Sequence, residues 1–245
     1  MKNHLFLAAL AFVLAAFFGC KNEPGKHSQA GLIPRGDTTK IDRFENEVKA
    51  YEAADQTQMP AKGGIVFVGS SSIRLWATVA QDFAPLPVIG RGIGGSTTPE
   101  INHYAKRLVH NYEPSVIVYY CGENDIAGDT PPQVAFQNFK KYIGETEKTL
   151  PNASVIFISA KPSPSRWHLW KNIQQFNTMV EQFASSRPGK LRYVDISKEL
   201  LGTNGEPDPA LFAEDKLHLN PSGYAKWTTV LKPVVTEAYN AKTLK

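Results

Sequence analysis

The sequence predicts an α/β domain in which a parallel β-sheet is covered by helices on both faces. Two observations lead to this prediction. Short apolar or β-branched runs alternate along the chain with longer stretches that have helical character. The first of these runs is apolar throughout rather than at every second position, which is typical of a parallel strand buried on both faces. In such a sheet, ligands bind beyond the carboxyl ends of the strands.

The predicted elements follow one another from residue 41. Apolar residues recur at helical spacing at positions 41, 44, 48 and 51, which indicates a first helix. Strands are predicted at 65–68, 88–89, 116–120, 155–158 and 191–196. Helices are predicted between them at 98–111, 132–150 and 170–186. Asn220 and Pro221 indicate the start of a final helix, because Asn caps helices and Pro is tolerated in their first turn.

The composition is that of one globular domain. The chain has 245 residues, of which 42% are hydrophobic and 20% are charged. This length allows one sizeable core and is too short for two ordinary enzymatic domains. The formal net charge is +4, but Lys and Arg are interleaved with Asp and Glu, as between Asp42 and Lys49. Since the sequence has no run of basic residues of the kind that binds the phosphate backbone of DNA or RNA, nucleic acid is not expected as a partner.

The first twenty residues have the features of an export signal. Lys2 supplies a positive start, residues 5–18 are almost entirely apolar, and Gly19 and Cys20 end the segment. About fourteen apolar residues form a helix of roughly 21 Å, which is short for a bilayer core of about 30 Å. A secretory signal is therefore favoured over a spanning helix. Residues 16–20 also resemble a bacterial lipobox with Cys20 as the acylated residue, although the phenylalanines depart from its usual pattern. A plain signal peptide or an uncleaved anchor is the alternative.

These features divide the chain into a lipoprotein signal peptide at 1–20, a flexible tether at 21–40 and a folded domain at 41–245. The tether is rich in Lys, Asn, Gly, Pro and Ser and has no apolar period. We expect a protein of the bacterial cell envelope, held at the periplasmic side of a membrane through acylated Cys20. Lys21 replaces the Asp that retains some lipoproteins at the inner membrane, which favours the outer membrane. An acylated Cys20 leaves Cys121 without a disulfide partner.

Residues with catalytic potential follow the first three predicted strands. Ser71 lies in the turn after the first strand, where its hydroxyl can project into the crevice, and the alternative is a helix N-cap. The glycine-rich segment 90–96 follows the second strand, and its backbone can approach a ligand closely. Its spacing is neither that of the dinucleotide fingerprint nor that of a P-loop. Asn124 follows the third strand and can donate a hydrogen bond to an oxyanion, or form an Asx turn.

A possible acid and base stand near the carboxyl end of the chain. Asp215 and His218 are three residues apart, so the carboxylate can fix the imidazole tautomer while the imidazole accepts a serine proton. His168 lies between two tryptophans in a loop and suits substrate contact better than base catalysis. Since no His, Cys and Asp cluster has the spacing of metal ligands, no metal and no other cofactor is expected.

Taken together, these elements resemble the signature of the SGNH hydrolases, the GDSL-like lipase and acylhydrolase family, over residues from about 64 to 235. The resemblance implies a flavodoxin-like three-layer α/β/α sandwich with five parallel strands. It implies that Ser71 is the nucleophile, Asp215 the acid and His218 the base. The oxyanion hole would consist of the Ser71 amide, Gly95 and Asn124. The chain has Ser70 where the family usually has Asp, which makes the neighbouring serines alternative nucleophiles.

The function implied by this resemblance is ester hydrolysis in two acyl-transfer steps, on a small, carbohydrate-borne or lysolipid ester. The segment 161–170 is expected to wall the pocket. The candidate substrate contacts are Arg91, Trp167, His168 and Trp170. One alternative uses Cys121 as the nucleophile with His218. Another is a non-catalytic lipoprotein that has a hydrolase fold without hydrolase activity and binds envelope glycans. A structural lipoprotein would have repeats or coiled-coil character, and neither is visible.

Overall fold

The computed structural model describes residues 42–243, so the predicted signal peptide, Cys20 and the tether lie outside the described residues. The strands of the described part are β1 (Ile65–Gly69), β2 (Val88–Gly92), β3 (Val116–Tyr120), β4 (Ser154–Ile158) and β5 (Leu191–Val194). All five pair in parallel in one sheet, in the order β2-β1-β3-β4-β5. The predicted α/β fold with five parallel strands is confirmed.

The α-helices of this part of the chain are α1 (Glu45–Thr57), α2 (Ser71–Arg74), α3 (Val79–Asp82), α4 (Thr98–Leu108), α5 (Glu123–Ala127), α6 (Pro132–Thr149), α7 (Trp170–Ser185) and α8 (Pro221–Thr243). Short 3₁₀ helices stand at Asp42–Phe44, His110–Tyr112, Pro164–Leu169, Ser197–Leu200 and Pro209–Leu211. Within residues 42–243, no helix combines the length and the apolar character that crossing a membrane requires.

The sheet separates two apolar cores, because successive residues of a strand point to opposite faces. In β1, Val66 and Val68 pack into the core that also receives residues of α1, α4, α6 and α7. Ile65 and Phe67 pack into the other core, with residues of α2, α3 and α8. Every residue of β1 is buried, which explains why its sequence has no polar alternation.

The strand order reverses between β1 and β3, and this is where the loops at the carboxyl edge of such a sheet diverge and leave a crevice. The two strands come very close at their ends. A Cβ atom at Gly69 would lie 1.9 Å from the carbonyl oxygen of Tyr120, so this position has no room for a side chain. The next amide, that of Ser70, donates to the same carbonyl at 3.0 Å. The chain therefore turns sharply into α2 at the edge of the crevice.

Candidate active site

Ser71 is the first residue of α2 and lies directly beyond the end of β1. Its Oγ is 2.8 Å from Nε2 of His218. Ser70 and Ser72 are both buried, and Tyr224 donates its hydroxyl to the backbone carbonyl of Ser72 at 2.9 Å. Of the three consecutive serines, Ser71 is the one whose hydroxyl the structure brings to the imidazole.

The other ring nitrogen of His218 contacts Asp215. Nδ1 of His218 lies 2.5 Å from Oδ2 of Asp215, and Oδ1 accepts hydrogen bonds of 2.9 Å from the amides of Leu217 and His218. Partial desolvation opposes ionisation, but the hydrogen bonds from His218 and Leu217 hold the pKa of the Asp215 carboxyl at about 2. A charged Asp215 favours a proton on Nδ1, which leaves Nε2 free to accept the proton of Ser71.

A tight turn sets the spacing between Asp215 and His218. Lys216, between them, adopts a left-handed backbone with φ of 55°. The amide of Lys216 donates to the carbonyl of Ala213 at 2.9 Å, and the amide of Ala213 donates to the carbonyl of His218 at 2.8 Å. These bonds hold Asp215 and His218 on one tight turn just before α8.

The predicted oxyanion donors come from the ends of β1, β2 and β3. Gly95, in the turn after β2, has a φ of 73°, a left-handed conformation that glycine adopts at little cost. Within the described residues, neither the Gly95 amide nor the Ser71 amide has a protein acceptor. Nδ2 of Asn124 donates one hydrogen to the carbonyl of Ser96 at 2.9 Å, and its second hydrogen can be donated to another acceptor. Backbone amides and a side-chain NH₂ group are donors of the kind that form an oxyanion hole.

A buried group of charges fixes the orientation of Asn124. Arg166 donates to Oδ1 of Asn124 at 2.9 Å and to the Glu123 carboxylate at 3.0 Å. Lys161 donates to the other oxygen of Glu123 at 2.7 Å, and Tyr120 donates its hydroxyl to that same oxygen. Because a guanidinium has donors only, Asn124 must direct its oxygen toward Arg166 and its NH₂ group elsewhere. Sequence reasoning did not assign this role to Arg166.

The carboxylate of Glu123 is charged even though it is 3% exposed. Burial opposes ionisation, but the adjacent Lys161 and Arg166 outweigh it and hold the pKa of Glu123 below its ordinary value. A charged Glu123 holds Arg166 in place against Asn124.

Asp125, next to Asn124, faces the start of α4. Its carboxylate accepts hydrogen bonds from the Thr98 amide at 2.9 Å and from the Thr98 hydroxyl at 3.2 Å. Burial raises the pKa of Asp125 from 3.8 to about 6, although the bonds from Thr98 act in the opposite direction. Asp125 thus joins α5, the short helix that carries Asn124, to the helix that follows the glycine-rich turn.

Arg91 was expected to contact substrate, and the structure does not bring it to Ser71. Arg91 lies opposite Val68 in the sheet and therefore points to the face that α1 covers. Its guanidinium is 8% exposed and donates to Asp55 at 2.6 Å and to Tyr112 at 2.9 Å. These contacts fasten the end of α1 to the sheet.

The segment after β4, predicted to wall the pocket at residues 161–170, contacts the turn that carries Asp215 and His218. Ser165 donates its amide to the carbonyl of Lys216 at 3.0 Å, which joins this segment to the turn of Asp215 and His218. The rings of Trp167 and Trp170 stack with centroids 5.8 Å apart. Trp170 also packs on the core, whereas His168 is exposed. The aromatic pair thus follows Ser165 and Arg166, which contact Lys216 and Asn124, and the structure gives Trp167, His168 and Trp170 no contact with Ser71.

Cys121 does not have the surroundings of a nucleophile. Its side chain is 1% exposed, and its Sγ lies 3.6 Å from the carbonyl oxygen of Ser96. Burial raises the pKa of the Cys121 thiol well above its ordinary value, which disfavours the reactive thiolate. The imidazole of His218 contacts Ser71 instead.

Comparison with known proteins identifies a family and several structures of the same fold. The model of the GDSL-like Lipase/Acylhydrolase family matches residues 64–226. A GDSL-like lipase from Bacteroides thetaiotaomicron is 23% identical, with a TM-score of 0.68 over 78% of this chain and 98% of that one. None of the curated proteins matches the sequence significantly.

Two carbohydrate-active proteins share the fold at lower identity. A carbohydrate esterase family 3 from Talaromyces cellulolyticus is 14% identical, with a TM-score of 0.59 over 73% of this chain and 99% of that one. A catalytic mutant of an acetylxylan esterase from Geobacillus stearothermophilus is 15% identical, with a TM-score of 0.56 over 73% of this chain and 95% of that one. At these identities the similarity is one of fold.

Proposed function

Since this chain belongs to the GDSL-like lipase/acylhydrolase family and is a hydrolase acting on esters, we propose that it cleaves carboxylic esters through an acyl-enzyme on Ser71. The observation that carries the proposal is the continuous series of contacts from Asp215 through His218 to Ser71, with distances of 2.5 and 2.8 Å. A charged acid, an oriented base and a hydroxyl in this order are the parts that nucleophilic acyl transfer needs.

In the proposed first step, Oγ of Ser71 attacks the ester carbonyl while Nε2 of His218 takes the hydroxyl proton. The negative charge that forms on the carbonyl oxygen is stabilised by the amides of Ser71 and Gly95 and by the NH₂ group of Asn124. The C–O bond of the ester then breaks, and His218 gives its proton to the leaving alcohol. In the second step His218 takes a proton from a water molecule as the water oxygen attacks the acyl carbon. The bond between that carbon and Oγ of Ser71 then breaks, and His218 returns the proton to Oγ, which frees the acid and restores the hydroxyl.

We propose a carbohydrate as the alcohol part of the substrate. The site is open, since the Asp215 side chain is 49% exposed and that of His218 is 22% exposed, so a bulky alcohol can leave toward solvent. The stacked pair of Trp167 and Trp170, which follows Arg166 in the chain, offers aromatic surface for a sugar ring. Two proteins of similar fold are carbohydrate esterases, which is consistent with this proposal.

The experiment measures hydrolysis of p-nitrophenyl acetate, butyrate and octanoate by residues 21–245 and by the Ser71→Ala variant. We expect the wild-type protein to be active and the Ser71→Ala variant to be inactive. The Ser70→Ala variant, a matched control in the adjacent position, should retain activity. Activity that survives Ser71→Ala would identify a different nucleophile. An inactive chain that a fluorophosphonate probe also fails to label would support the non-catalytic glycan-binding alternative.

The substrate class has a separate test with acetylated xylooligosaccharides and a lysophospholipid. We expect release of acetate from the oligosaccharides and a higher KM for them, at unchanged p-nitrophenyl acetate activity, when Trp167 is replaced by Ala. Cleavage of the lysophospholipid alone would contradict a carbohydrate substrate.

We also propose that Cys20 is acylated and holds the enzyme at the membrane of the cell envelope. The support for this proposal is the lipobox-like segment 16–20. Labelled palmitate should enter the full chain but not its Cys20→Ser variant, which should leave the membrane fraction. Equal labelling of the two proteins would contradict it.

A further inference from the structure

Helix α1 lies outside the residues that the family model matches, yet it reaches the turn that carries Gly95. Arg43, in the 3₁₀ turn before the helix, and Glu47 and Tyr51 within it are spaced four residues apart. Residues with this spacing share one face of a helix. That face lies against the segment 92–95.

Two of these side chains hold the segment before Gly95. Tyr51 donates its hydroxyl to the carbonyl of Gly92 at 2.7 Å. The Glu47 carboxylate accepts the amide of Gly94 at 3.1 Å. Both bonds are partly buried and join parts of the chain that are more than forty positions apart.

Arg43 holds the carboxyl end of the segment, at Gly95. It donates to the carbonyl of Gly95 at 3.2 Å and to both oxygens of Glu100, at 2.6 and 3.1 Å. Glu100 in turn accepts the amide of Thr97 at 2.8 Å, which completes the capping box at the start of α4. Arg43 is therefore itself fixed by the helix that follows the turn.

The proposed oxyanion donor of Gly95 belongs to the peptide group between Gly94 and Gly95. Neither residue has a side chain, so the turn by itself leaves this peptide free to rotate. Glu47 fixes the peptide group before it, and Arg43 fixes the peptide group after it. An oxyanion donor is effective only when its direction is set in advance of the reaction.

We propose that Arg43, Glu47 and Tyr51, which we call the α1 strap, are positioning residues that aim the Gly95 amide at the oxyanion. This inference rests on the proposed ester hydrolysis. It assigns a part in that reaction to a helix that precedes the matched family region.

The attachment of α1 does not depend on the strap. Arg107, on α4, pairs with Glu45 at 2.7 Å and with Glu52 at 2.6 Å. Loss of one strap contact should therefore leave the helix in place. Glu52 is a matched control, because it holds the same helix to the same domain without touching the glycine-rich turn.

The test compares Glu47→Ala, Glu47→Gln, Tyr51→Phe and Glu52→Ala on p-nitrophenyl acetate in the full chain. We expect Glu47→Ala and Tyr51→Phe to lower kcat about tenfold or more with KM within about twofold, as for a contact that acts in the transition state. Glu47→Gln keeps an oxygen that accepts the Gly94 amide and should retain most of the wild-type kcat. Glu52→Ala should lower the melting temperature and leave kcat near the wild-type value.

Equal losses of kcat in Glu47→Ala and Glu52→Ala would overturn the strap, since both would then act through stability alone. Failure of Glu47→Gln to restore kcat, or a change in KM without a change in kcat, would also overturn it. Wild-type protein that is inactive and unlabelled by a fluorophosphonate at Ser71 would instead overturn the proposed function, and the strap with it.

Discussion

Asn124 carries a donor and an acceptor on the same side chain, and only its NH₂ group can stabilise an oxyanion. Rotation of the amide by half a turn would present the oxygen to the developing negative charge. The contact between Arg166 and Oδ1 of Asn124 opposes that rotation, and Glu123 holds Arg166 in turn. The direction of one proposed oxyanion donor is thus set by a charge that need not touch the substrate.

We therefore expect Arg166→Ala to lower kcat about tenfold or more, and Asn124→Ala to lower it about 10²–10³-fold, the range for loss of one oxyanion donor. If Arg166 acts through Asn124, the double variant should be no worse than Asn124→Ala alone. Steady-state kinetics on p-nitrophenyl acetate for the four proteins form the measurement. Multiplicative losses in the double variant would show that Arg166 acts independently of Asn124.

At the level of elements, the start of α4 is joined to α5, the short helix after β3, through Asp125. The carboxylate accepts a hydrogen bond from the first amide of the helix, which lowers the pKa of Asp125. Burial has the larger effect and raises that pKa to about 6. The folded chain therefore holds this proton more tightly than the unfolded chain does. The stability linked to the protonated group is fully present below the ordinary pKa of 3.8 and is lost as the pH rises through about 6.

Replacing Asp125 by Asn removes the buried charge and keeps an oxygen for the Thr98 amide. We expect the free energy of unfolding to increase by up to about 3 kcal/mol at about pH 8, because a shift of about two pKa units corresponds to this amount. The gain should disappear near pH 4, where the wild-type carboxyl is protonated. Urea unfolding of both proteins at several pH values measures it. A difference that is independent of pH would contradict this explanation.

Element positions could be predicted well where burial alone determines the residue types. The predicted strand 116–120 has the same bounds in the structure, and the strand predicted at 65–68 extends only one residue further. The strand predicted at 88–89 extends to Gly92 in the structure. The prediction ended too early because Gly90, Arg91 and Gly92 carry no apolar pattern that would mark them as sheet. A strand end that is held only by backbone hydrogen bonds cannot be recognised from the hydrophobicity of its residues.

The candidate site could be predicted where its residues stand in local motifs at strand ends. Ser71 and Asn124 belong to such motifs, His218 belongs to a local motif just before α8, and the structure brings Ser71 and His218 into contact. The contacts of Arg91 and Arg166 could not be predicted. Each pairs with partners between 21 and 43 positions away, and such pairs follow no period in the sequence.

Across the described part of the molecule, α8 supports β1 and the helix that carries Ser71, the proposed nucleophile. Trp227 of α8 is fully buried and contacts Trp76 edge-on, with ring centroids 5.7 Å apart. Trp76 also stacks on Tyr224 at 5.0 Å, and Tyr224 donates to the carbonyl of Ser72. This aromatic group joins the two ends of the described domain beneath α2.

Trp227→Ala should therefore destabilise the whole domain by about 3–5 kcal/mol, the usual cost of removing a buried tryptophan side chain. Because the cavity would lie under α2, we also expect kcat to fall in the part of the protein that remains folded. Chemical unfolding and active-site titration with a fluorophosphonate separate these two effects. A variant with unchanged unfolding would show that α8 is not needed for the core.

The contact between Ser71 and His218 joins residues 147 positions apart, with His218 just before α8. A ribosome works from the amino end, so the serine is made long before the imidazole that contacts it. A growing chain has no such imidazole until residue 218 has been added, and a fragment that stops earlier lacks the proposed base. If the proposed chemistry holds, such a fragment cannot hydrolyse esters through this serine, although the serine is already present.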